Sequence, residues 1–361
     1  MMSSLSFAVP ELKLASLSTQ SQISQYWKSG ARRRFVSPHG SRIMTYSFSK
    51  GAGAPVIVIV PGRAEASSNF AELVYDLRNE KYSLYLIDHR GQGASDRLAS
   101  DPEMGYVENF NYYVDDLRYF VENILNPRKN KELFFFANSM GSNIATMLLK
   151  ESPDMAKSLV VVSPMFKIKT GKIPMVVGRV LSYFKVVVGA AASFALGQTH
   201  WTKECEKFEG NLVSQSRLRF DYVMNSYKKN PQIRIAGPSY GWALEAFRSG
   251  TDIMKYKNGS FAVPTLLLSG GADKVVDVNV SRKFCLDKAT LCYERHFPAA
   301  LHNLILESDA IRLPALKAAL DFFRVSLIKI QFVKIGFVKI SFRSRTIKID
   351  SRLRIFGLHF W

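Results

Sequence analysis

The chain has 361 residues, 47% of them hydrophobic, and a net charge of +19. This length is enough for a sizeable core, and it fits one or two domains or one α/β domain with an inserted subdomain. Its three cysteines, Cys205, Cys285 and Cys292, show no motif spacing. This pattern argues against a disulfide scaffold and favours a reducing compartment.

Neither a secretory signal nor a transmembrane helix is expected. Residues 1–20 lack the basic segment and the sustained apolar run that a signal peptide requires. The most apolar stretch, residues 174–196, is interrupted by Arg179 and Lys185, and its charge-free remainder is too short to span a bilayer.

The positive charge is unevenly distributed, because eight Lys or Arg residues accompany a single Asp from Leu327 onward. Such an excess indicates either an anionic partner or an ordinary solvated surface. The sequence has no zinc-finger spacing, no basic helix with heptads and no RNP-like aromatic motif, so nucleic acid is not expected as a partner. Among anionic partners, a membrane surface is the best candidate.

The first part of the chain alternates between strand-like and helix-like segments. Residues 1–40 are rich in serine and predict a loosely ordered N-terminal lead with one short helix. Short apolar runs predict strands at 42–48, 56–60, 83–87, 133–136 and 159–162. Apolar residues at helical spacing predict helices at 70–78, 112–124 and 142–150. This alternation predicts a parallel sheet with helices on both faces.

The pattern changes after Ser163-Pro164, because the residues that follow are mostly helical and contain no clear strand. Strands are predicted again at 265–269 and 293–297, with helices around Phe284 and at 305–325. An insertion between two sheet strands is a natural position for a cap over an active site. The expected division is an N-terminal lead (1–40), a core in two parts (41–164 and 249–326), a helical cap (165–248) and a basic C-terminal extension (327–361).

The C-terminal extension contains a five-residue near-repeat, FVKIG at 332–336 and FVKIS at 337–341. Neither a period of 2 nor one of 3.6 fits it, although its β propensity is typical of an aggregation-prone edge. Two interpretations stay open, a membrane-surface anchor or a segment without function.

Residues 135–141, FFANSMG, run from a predicted strand through Ser139 into a predicted helix. This is the arrangement of a nucleophile elbow, G-x-S-x-G, in which the small flanking residues pack against crossing backbone. Ala137 occupies the first glycine position and adds one methyl group. Ser139 is therefore the candidate nucleophile, and a helix N-cap serine is the structural alternative.

A serine nucleophile needs a histidine base and an orienting carboxylate. In a sheet of this kind they follow in the chain order Ser, Asp, His. His302 lies in a loop after a late strand and before the last long helix. Asp273 follows the strand at 265–269, with Asp277 as the alternative acid. We therefore expect a triad of Ser139, Asp273 and His302.

The reaction also needs N–H donors for a developing oxyanion. The first expected donor is the backbone N–H of Met140, directly after the nucleophile. The second comes from the loop after an early strand, PGRAE at 61–65, where we assign it to the N–H of Arg63. The Arg63 side chain either meets an anionic headgroup or pairs with Glu65, and we favour the pairing.

Residues 88–93, DHRGQG, look like a ligand-binding loop. They lack the strand–GxGxxG–helix arrangement of dinucleotide sites, and the chain has no Walker lysine. We interpret the segment as a turn in which Asp88 and Arg90 brace neighbouring loops.

These motifs together resemble the bacterial lysophospholipases, which belong with the monoacylglycerol lipases in the serine aminopeptidase-like branch of the α/β-hydrolases. The resemblance covers roughly residues 25–325. Two motifs are specific to the lysophospholipase side, namely Pro-Gly-Arg at 61–63 and Gly-Pro-Ser-Tyr-Gly-Trp at 237–242. The other matches are DHRGQG at 88–93, YVDDL at 113–117, His302 with its following Ile-Leu-Glu, and Ser-Met-Gly at 139–141, which is specific only to the superfamily.

The chain departs from the family around the nucleophile. Asn138 stands where family members usually have His, and Gly141-Ser142 stands where they usually have Gly-Gly after the methionine.

The resemblance implies an α/β-hydrolase fold, with a mostly parallel central sheet, helices on both faces and a helical cap inserted after the sixth strand. It implies hydrolysis of the single acyl ester of a lysophospholipid through an acyl-enzyme on Ser139, with no metal or organic cofactor. It also implies a cytoplasmic protein peripheral to the inner face of the cell membrane. Phe184, Phe194 and Trp242 are then either candidate lining residues for the acyl chain or the cap's own core.

Two alternatives stay open. One is a monoacylglycerol lipase or general carboxylesterase, and the other is a catalytically silent binding protein on the same fold. An aminopeptidase is disfavoured because the cap shows no acidic cluster that would hold a free amine.

Overall fold

The computed structural model describes residues 8–125, 132–171 and 173–327. The near-repeat of the C-terminal extension lies outside the described residues. The strands are β1 (Ala31–Val36), β2 (Arg42–Phe48), β3 (Val56–Val60), β4 (Ser83–Ile87), β5 (Leu133–Asn138), β6 (Ser158–Val162), β7 (Thr265–Gly270) and β8 (Cys292–Phe297). Every strand predicted from the sequence is confirmed, and β1 is additional.

The eight strands of the described residues form one sheet in the order β1-β2-β4-β3-β5-β6-β7-β8. Strand β2 pairs antiparallel with both β1 and β4, and all other neighbours are parallel. The parallel strands therefore end at one common edge, where the loops after β3, β5, β7 and β8 meet.

The α-helices are α1 (Leu17–Ser29), α2 (Ala71–Asp76), α3 (Asn111–Tyr119), α4 (Met140–Glu151), α5 (Met175–Val187), α6 (Arg217–Lys229), α7 (Tyr240–Met254), α8 (Val278–Lys283) and α9 (Asp309–Leu327). Helices α5, α6 and α7 lie between β6 and β7 in the chain and form the helical cap. The last helix was predicted to begin at residue 305, but it begins at Asp309. Residues 305–308 belong to the His302 loop, which hydrogen bonds hold in a non-helical form.

Helices cover both faces of the sheet, so the central strands are apolar at every position. The odd and even residues of β3 belong to two separate cores. Val56, Val58 and Val60 pack toward α3 and α4, whereas Ile57 and Ile59 pack toward α2 and α9. All five are at most 1% exposed, which explains why this strand reads as an unbroken β-branched run.

The described part of the lead differs from the loosely ordered segment expected. It contains α1 and the edge strand β1, and Val9, Leu14 and Ile23 bury their side chains against α2. The backbone N–H of Val9 donates to Asp76 at 2.7 Å. Only Phe35 of β1 is buried, so the strand carries no alternating apolar pattern. The sequence therefore offers little indication that this segment forms a strand.

The sequence argued against a disulfide scaffold and did not predict the disulfide that the described residues contain. Cys285 and Cys292 form a disulfide with a Cα–Cα distance of 5.3 Å, because the chain turns back between them into β8. Cys205 is free and exposed. Since disulfides persist mainly in oxidising compartments, the cysteines no longer favour a reducing one.

Candidate active site

Ser139 occupies a sharp turn between β5 and α4. Its backbone has φ 48° and ψ −112°, a left-handed conformation that costs energy for any residue with a Cβ. The turn brings α4 so close to β3 that a Cβ on Gly141 would lie 2.2 Å from the carbonyl oxygen of Val60. The Ser142 hydroxyl donates to the carbonyl of Ala137 at 2.6 Å and holds the strand end against the helix.

Ser139, His302 and Asp273 form one hydrogen-bonded chain. The Oγ of Ser139 lies 2.9 Å from Nε2 of His302, and Nδ1 of His302 lies 2.8 Å from Oδ2 of Asp273. The other carboxylate oxygen, Oδ1, accepts from the N–H groups of Val275 and Val276 at 2.7 and 3.0 Å. All three side chains are buried or nearly so, with 8% exposure for Ser139.

The ionisation of Asp273 determines which atoms donate in the hydrogen bonds that link Ser139, His302 and Asp273. Burial raises the pKa of Asp273, but the His302 hydrogen bond and the two backbone donors outweigh it and hold the pKa below its ordinary value. An ionised carboxylate can only accept, so Nδ1 of His302 carries the proton. The Nε2 atom is then free to accept the proton of the Ser139 hydroxyl.

The alternative acid has another role. The Asp277 carboxylate caps α8 by accepting from the N–H of Asn279 at 3.2 Å, and it pairs with Lys167 at 2.9 Å. No contact joins it to His302 among the described residues.

The two expected oxyanion donors, the backbone N–H groups of Met140 and Arg63, belong to segments that adjoin Ser139. Met140 is the first residue of α4, where a helix N–H has no acceptor within the helix. On the other side, Gly62 packs against the nucleophile, because a Cβ on Gly62 would lie 3.1 Å from the Cβ of Ser139. The neighbouring Arg63 N–H, the second expected donor, therefore lies in the loop next to the nucleophile.

Gln92 holds that loop in place, a role that sequence reasoning missed. Its Oε1 accepts from the N–H of Ala64 at 2.9 Å, and its Nε2 donates to the carbonyl of Gly62 at 3.0 Å. Both peptides next to Arg63 are thereby fixed. No single residue type or spacing in DHRGQG signals this contact.

Asp88 and Arg90 brace loops, as their sequence context indicated. Asp88 accepts from the N–H groups of Ser67 and Ala94 at 2.6 and 2.8 Å. Arg90 makes a bidentate, buried ion pair with Asp116.

The expected pairing of Arg63 with Glu65 was wrong. The Glu65 carboxylate accepts instead from the N–H of Gly62, from Nδ2 of Asn138 and from Nδ2 of Asn303, at 2.5 to 3.0 Å. These three donors neighbour Arg63, Ser139 and His302 respectively. Asn138, the departure from the family pattern, thus supplies a neutral donor to a half-buried carboxylate.

The loop that carries His302 is hydrogen-bonded to the cap. The N–H of His302 donates to the carbonyl of Leu212 at 3.3 Å, and the N–H of Asn303 donates to the carbonyl of Val213 at 2.8 Å. The position of the candidate base therefore depends on the cap as well as on the core.

Comparison with known proteins identifies the family of this chain. The family model for serine aminopeptidase, S33, matches residues 52–309. The chain belongs to the serine aminopeptidase S33 family. Lysophospholipase L2 of Escherichia coli strain K12 is 30% identical over 311 residues, which cover 84% of this chain and 91% of that protein. Monoglyceride lipase of Mus musculus is 22% identical over 230 residues, which cover 63% of this chain and 69% of that protein.

Solved structures show the same fold. A soluble variant of the Saccharomyces cerevisiae monoglyceride lipase, in complex with a substrate analogue, superposes with a TM-score of 0.66 at 15% identity. The match covers 82% of this chain and 95% of the yeast chain. The α/β-hydrolase fold expected from the sequence is thus confirmed for this S33 family member.

The two motifs specific to the lysophospholipase side meet in space. The Arg63 guanidinium lies over the Trp242 ring at 5.2 Å and donates to the carbonyl of Ala236, directly before the second motif. Trp242 is buried, whereas Phe184 is 58% exposed on the outer face of α5 and Phe194 lies beside His200. Of the three candidate acyl-lining residues, only Trp242 is next to the active-site loop.

Proposed function

We propose that this chain is a serine hydrolase that cleaves the single acyl ester of lysophospholipids through an acyl-enzyme intermediate. The observation that carries this is the Ser139–His302–Asp273 chain at a strained strand-to-helix turn. The lysophospholipase L2 relative, which covers most of both chains, supports the substrate class.

In this mechanism the Ser139 Oγ attacks the ester carbonyl carbon while His302 Nε2 accepts its proton. The Asp273 carboxylate stabilises the imidazolium that forms. The tetrahedral oxyanion accepts hydrogen bonds from the N–H groups of Arg63 and Met140. Collapse expels the glycerol oxygen, which takes the proton from His302 and leaves the acyl group on Ser139. Water then attacks the acyl carbon while His302 accepts its proton, the bond from the acyl carbon to the Ser139 Oγ breaks, and Oγ regains a proton from His302 as the fatty acid leaves.

An apolar groove of about 390 Å³ lies where α5, α7 and α8 approach each other. Met165, which precedes the groove residue Phe166, donates its N–H to the carbonyl of Ser139 at 3.1 Å. We propose that the acyl chain of the substrate lies in this groove. Ala246→Phe should then shift the preference toward shorter acyl chains. Unchanged preference across a chain-length series would place the acyl group elsewhere.

Helix α5 presents an apolar stripe to solvent. Its exposed residues follow helical spacing: Val176, Val177, Val180, Tyr183, Phe184 and Val187. Arg179 and Lys185 lie on the same helix. An exposed apolar stripe with basic neighbours is typical of a helix that rests in a membrane interface. No helix of the described residues is long and apolar enough to cross a bilayer.

We therefore propose peripheral contact with an anionic membrane surface through α5, and the cytoplasmic face stays a prediction of the sequence resemblance. Val180→Ser together with Phe184→Ser should weaken sedimentation with vesicles containing anionic phospholipid. Leu286→Ser, which alters an even more exposed apolar side chain outside the cap, is the control. Equal binding by both variants would exclude α5 as the contact.

Aminopeptidase activity is not proposed, although the family is named for it. A free amine needs an available carboxylate, and the acidic cap residues have other partners. Glu245 pairs with Arg248 and Glu206 pairs with Lys228.

The test of the proposed function is a comparison of kcat/KM on lysophosphatidylcholine, lysophosphatidylethanolamine and monoacylglycerol with one acyl chain. We expect the lysophospholipids to be the better substrates, and Ser139→Ala to abolish all three activities. Preference for monoacylglycerol would support the monoglyceride lipase alternative. Absence of hydrolysis in folded protein would support the binding-protein alternative.

A further inference from the structure

Arg63 is half-buried, and it differs from the buried arginines of the described residues in its lack of a carboxylate partner. Arg90 pairs with Asp116, Arg219 pairs with Glu72 and Asp309, and Arg312 pairs with Asp76. No Asp or Glu of the described residues forms an ion pair with the Arg63 guanidinium. Burial lowers its pKa to about 10, and the Tyr113 hydroxyl opposes this weakly.

The Arg63 guanidinium also keeps unused hydrogen-bonding capacity. Its Nη2 donates to the carbonyl of Ala236, whereas its Nε is buried without a partner among the described residues. The Trp242 ring lies against one face of the guanidinium, with its centroid 5.2 Å from Cζ of Arg63. Stacking of this kind orients the plane of an arginine and leaves its edge available to an anion.

The guanidinium belongs to a residue next to the reacting atoms. Gly62 packs against the Ser139 side chain, and Arg63 follows it directly. In a lysophospholipid only the glycerol backbone separates the ester carbonyl from the phosphate. A substrate with its carbonyl at the Arg63 N–H therefore carries its phosphate within the range of a long side chain that starts from the same residue.

We propose that the Arg63 side chain binds the phosphodiester of the lysophospholipid headgroup, while its backbone N–H binds the oxyanion. This rests on the proposed function and specifies how that site selects its substrate class. A partly buried cation without a counter-charge loses hydration that nothing replaces, and a phosphodiester supplies both the missing charge and acceptors for the planar guanidinium. A monoacylglycerol, which has a hydroxyl at that position, gains nothing from this contact.

The experiment measures the ratio of kcat/KM for lysophosphatidylcholine to kcat/KM for monoacylglycerol, both in neutral detergent micelles. A ratio cancels any general effect of the substitution on the oxyanion loop or on stability. We expect Arg63→Met to lower the ratio by roughly tenfold to a hundredfold, the range for loss of a hydrogen bond to a charged group. Arg63→Lys keeps the charge and loses the fork, so it should lower the ratio less.

Arg234→Met is the matched control. Arg234 also lies over a tryptophan of the cap, Trp201, at 5.5 Å and donates to a backbone carbonyl, that of Tyr227. Because Glu206 lies near it, Arg234 has a counter-charge that Arg63 lacks. The ratio should be unchanged in this variant.

An unchanged ratio in Arg63→Met would overturn the inference. If both activities fall by the same factor, Arg63 has a structural role; if neither falls, its side chain does not act in this reaction. A second measurement uses the unaltered protein. Glycerophosphocholine, which has the phosphodiester and no ester, should inhibit monoacylglycerol hydrolysis competitively, and glycerol at the same concentration should not. Equal inhibition by the two would also contradict the proposal. Failure of the unaltered protein to cleave lysophosphatidylcholine would instead overturn the proposed function itself.

Discussion

Glu307 accepts a hydrogen bond at 2.9 Å from the backbone N–H of Gln215, and this contact joins the candidate base loop to the cap. The other Glu307 oxygen accepts from the N–H of Leu301, the residue before His302, at 2.6 Å. The carboxylate is 0% exposed. One buried side chain thus connects the cap backbone to the loop that positions the imidazole.

We expect Glu307→Gln to lower kcat more than it raises KM. A glutamine has one acceptor oxygen, so its amide group would face one of the two N–H donors and displace the loop. An unsatisfied buried group of this kind costs about 1–3 kcal/mol. Steady-state kinetics and urea unfolding measure the two effects. Glu80→Gln, at a surface pair with Arg324, is the control, and equal kinetics for both variants would contradict the assigned role.

Glu65→Gln should reduce kcat for a similar reason, because three donors converge on its carboxylate. The introduced amide would face an N–H group and disturb Asn138 or Asn303, the neighbours of the nucleophile and the base. Adding Asn303→Asp reverses the polarity of one hydrogen bond and keeps the total charge. We expect the double variant to recover part of the lost kcat. If it is as slow as the single variant, the hydrogen-bond account is wrong.

Gly141→Ala should destabilise the protein by several kcal/mol or prevent folding. The new Cβ would lie 2.2 Å from the Val60 carbonyl oxygen, and backbone on both sides resists the necessary shift. Gly53→Ala is the control, since no atom lies within 4 Å of its Cβ position. Chemical denaturation compares the two. Similar unfolding midpoints would show that the helix and strand are not so closely packed.

His89 should make the free energy of unfolding depend on pH below neutrality. Burial lowers its pKa from 6.5 to about 4 in the folded protein, where Nε2 lies 3.1 Å from the Pro61 carbonyl. Between these values the unfolded chain binds a proton that the folded chain does not, so stability falls as pH falls. The contribution of His89 to the slope approaches about 1.4 kcal/mol per pH unit midway between the two pKa values, and it fades as the pH rises past 6.5.

His89→Gln keeps a donor for Pro61 and cannot titrate. The difference in unfolding free energy between it and the unaltered protein should therefore change across pH 6.5 to 5 and be constant from 7 to 8. A constant difference throughout would show that His89 titrates normally in the folded protein.

The sequence was sufficient to predict the features that depend on local pattern and chain order. The central strands are buried on both faces, so their apolar runs are unambiguous, and the order Ser139, Asp273, His302 follows from the order of the loops. Residues that hold the site together through contacts between distant segments have no recognisable pattern in the local sequence. Glu65 takes its donors from three separate segments, so its local sequence suggested the nearer partner, Arg63.

Edge elements were also poorly predicted. Strand β1 buries only Phe35, so it has no alternating pattern that could distinguish it from a loop. The disulfide depends on the turn that brings Cys285 back to Cys292, and a separation of seven residues does not by itself predict that turn.

The role of Ser139 as nucleophile is tested most directly by labelling the folded protein with a fluorophosphonate and identifying the modified peptide. We expect stoichiometric labelling at Ser139, with none in Ser139→Ala and strongly reduced labelling in His302→Ala. Absence of label at Ser139 in folded protein, under conditions that label a control esterase, would contradict it.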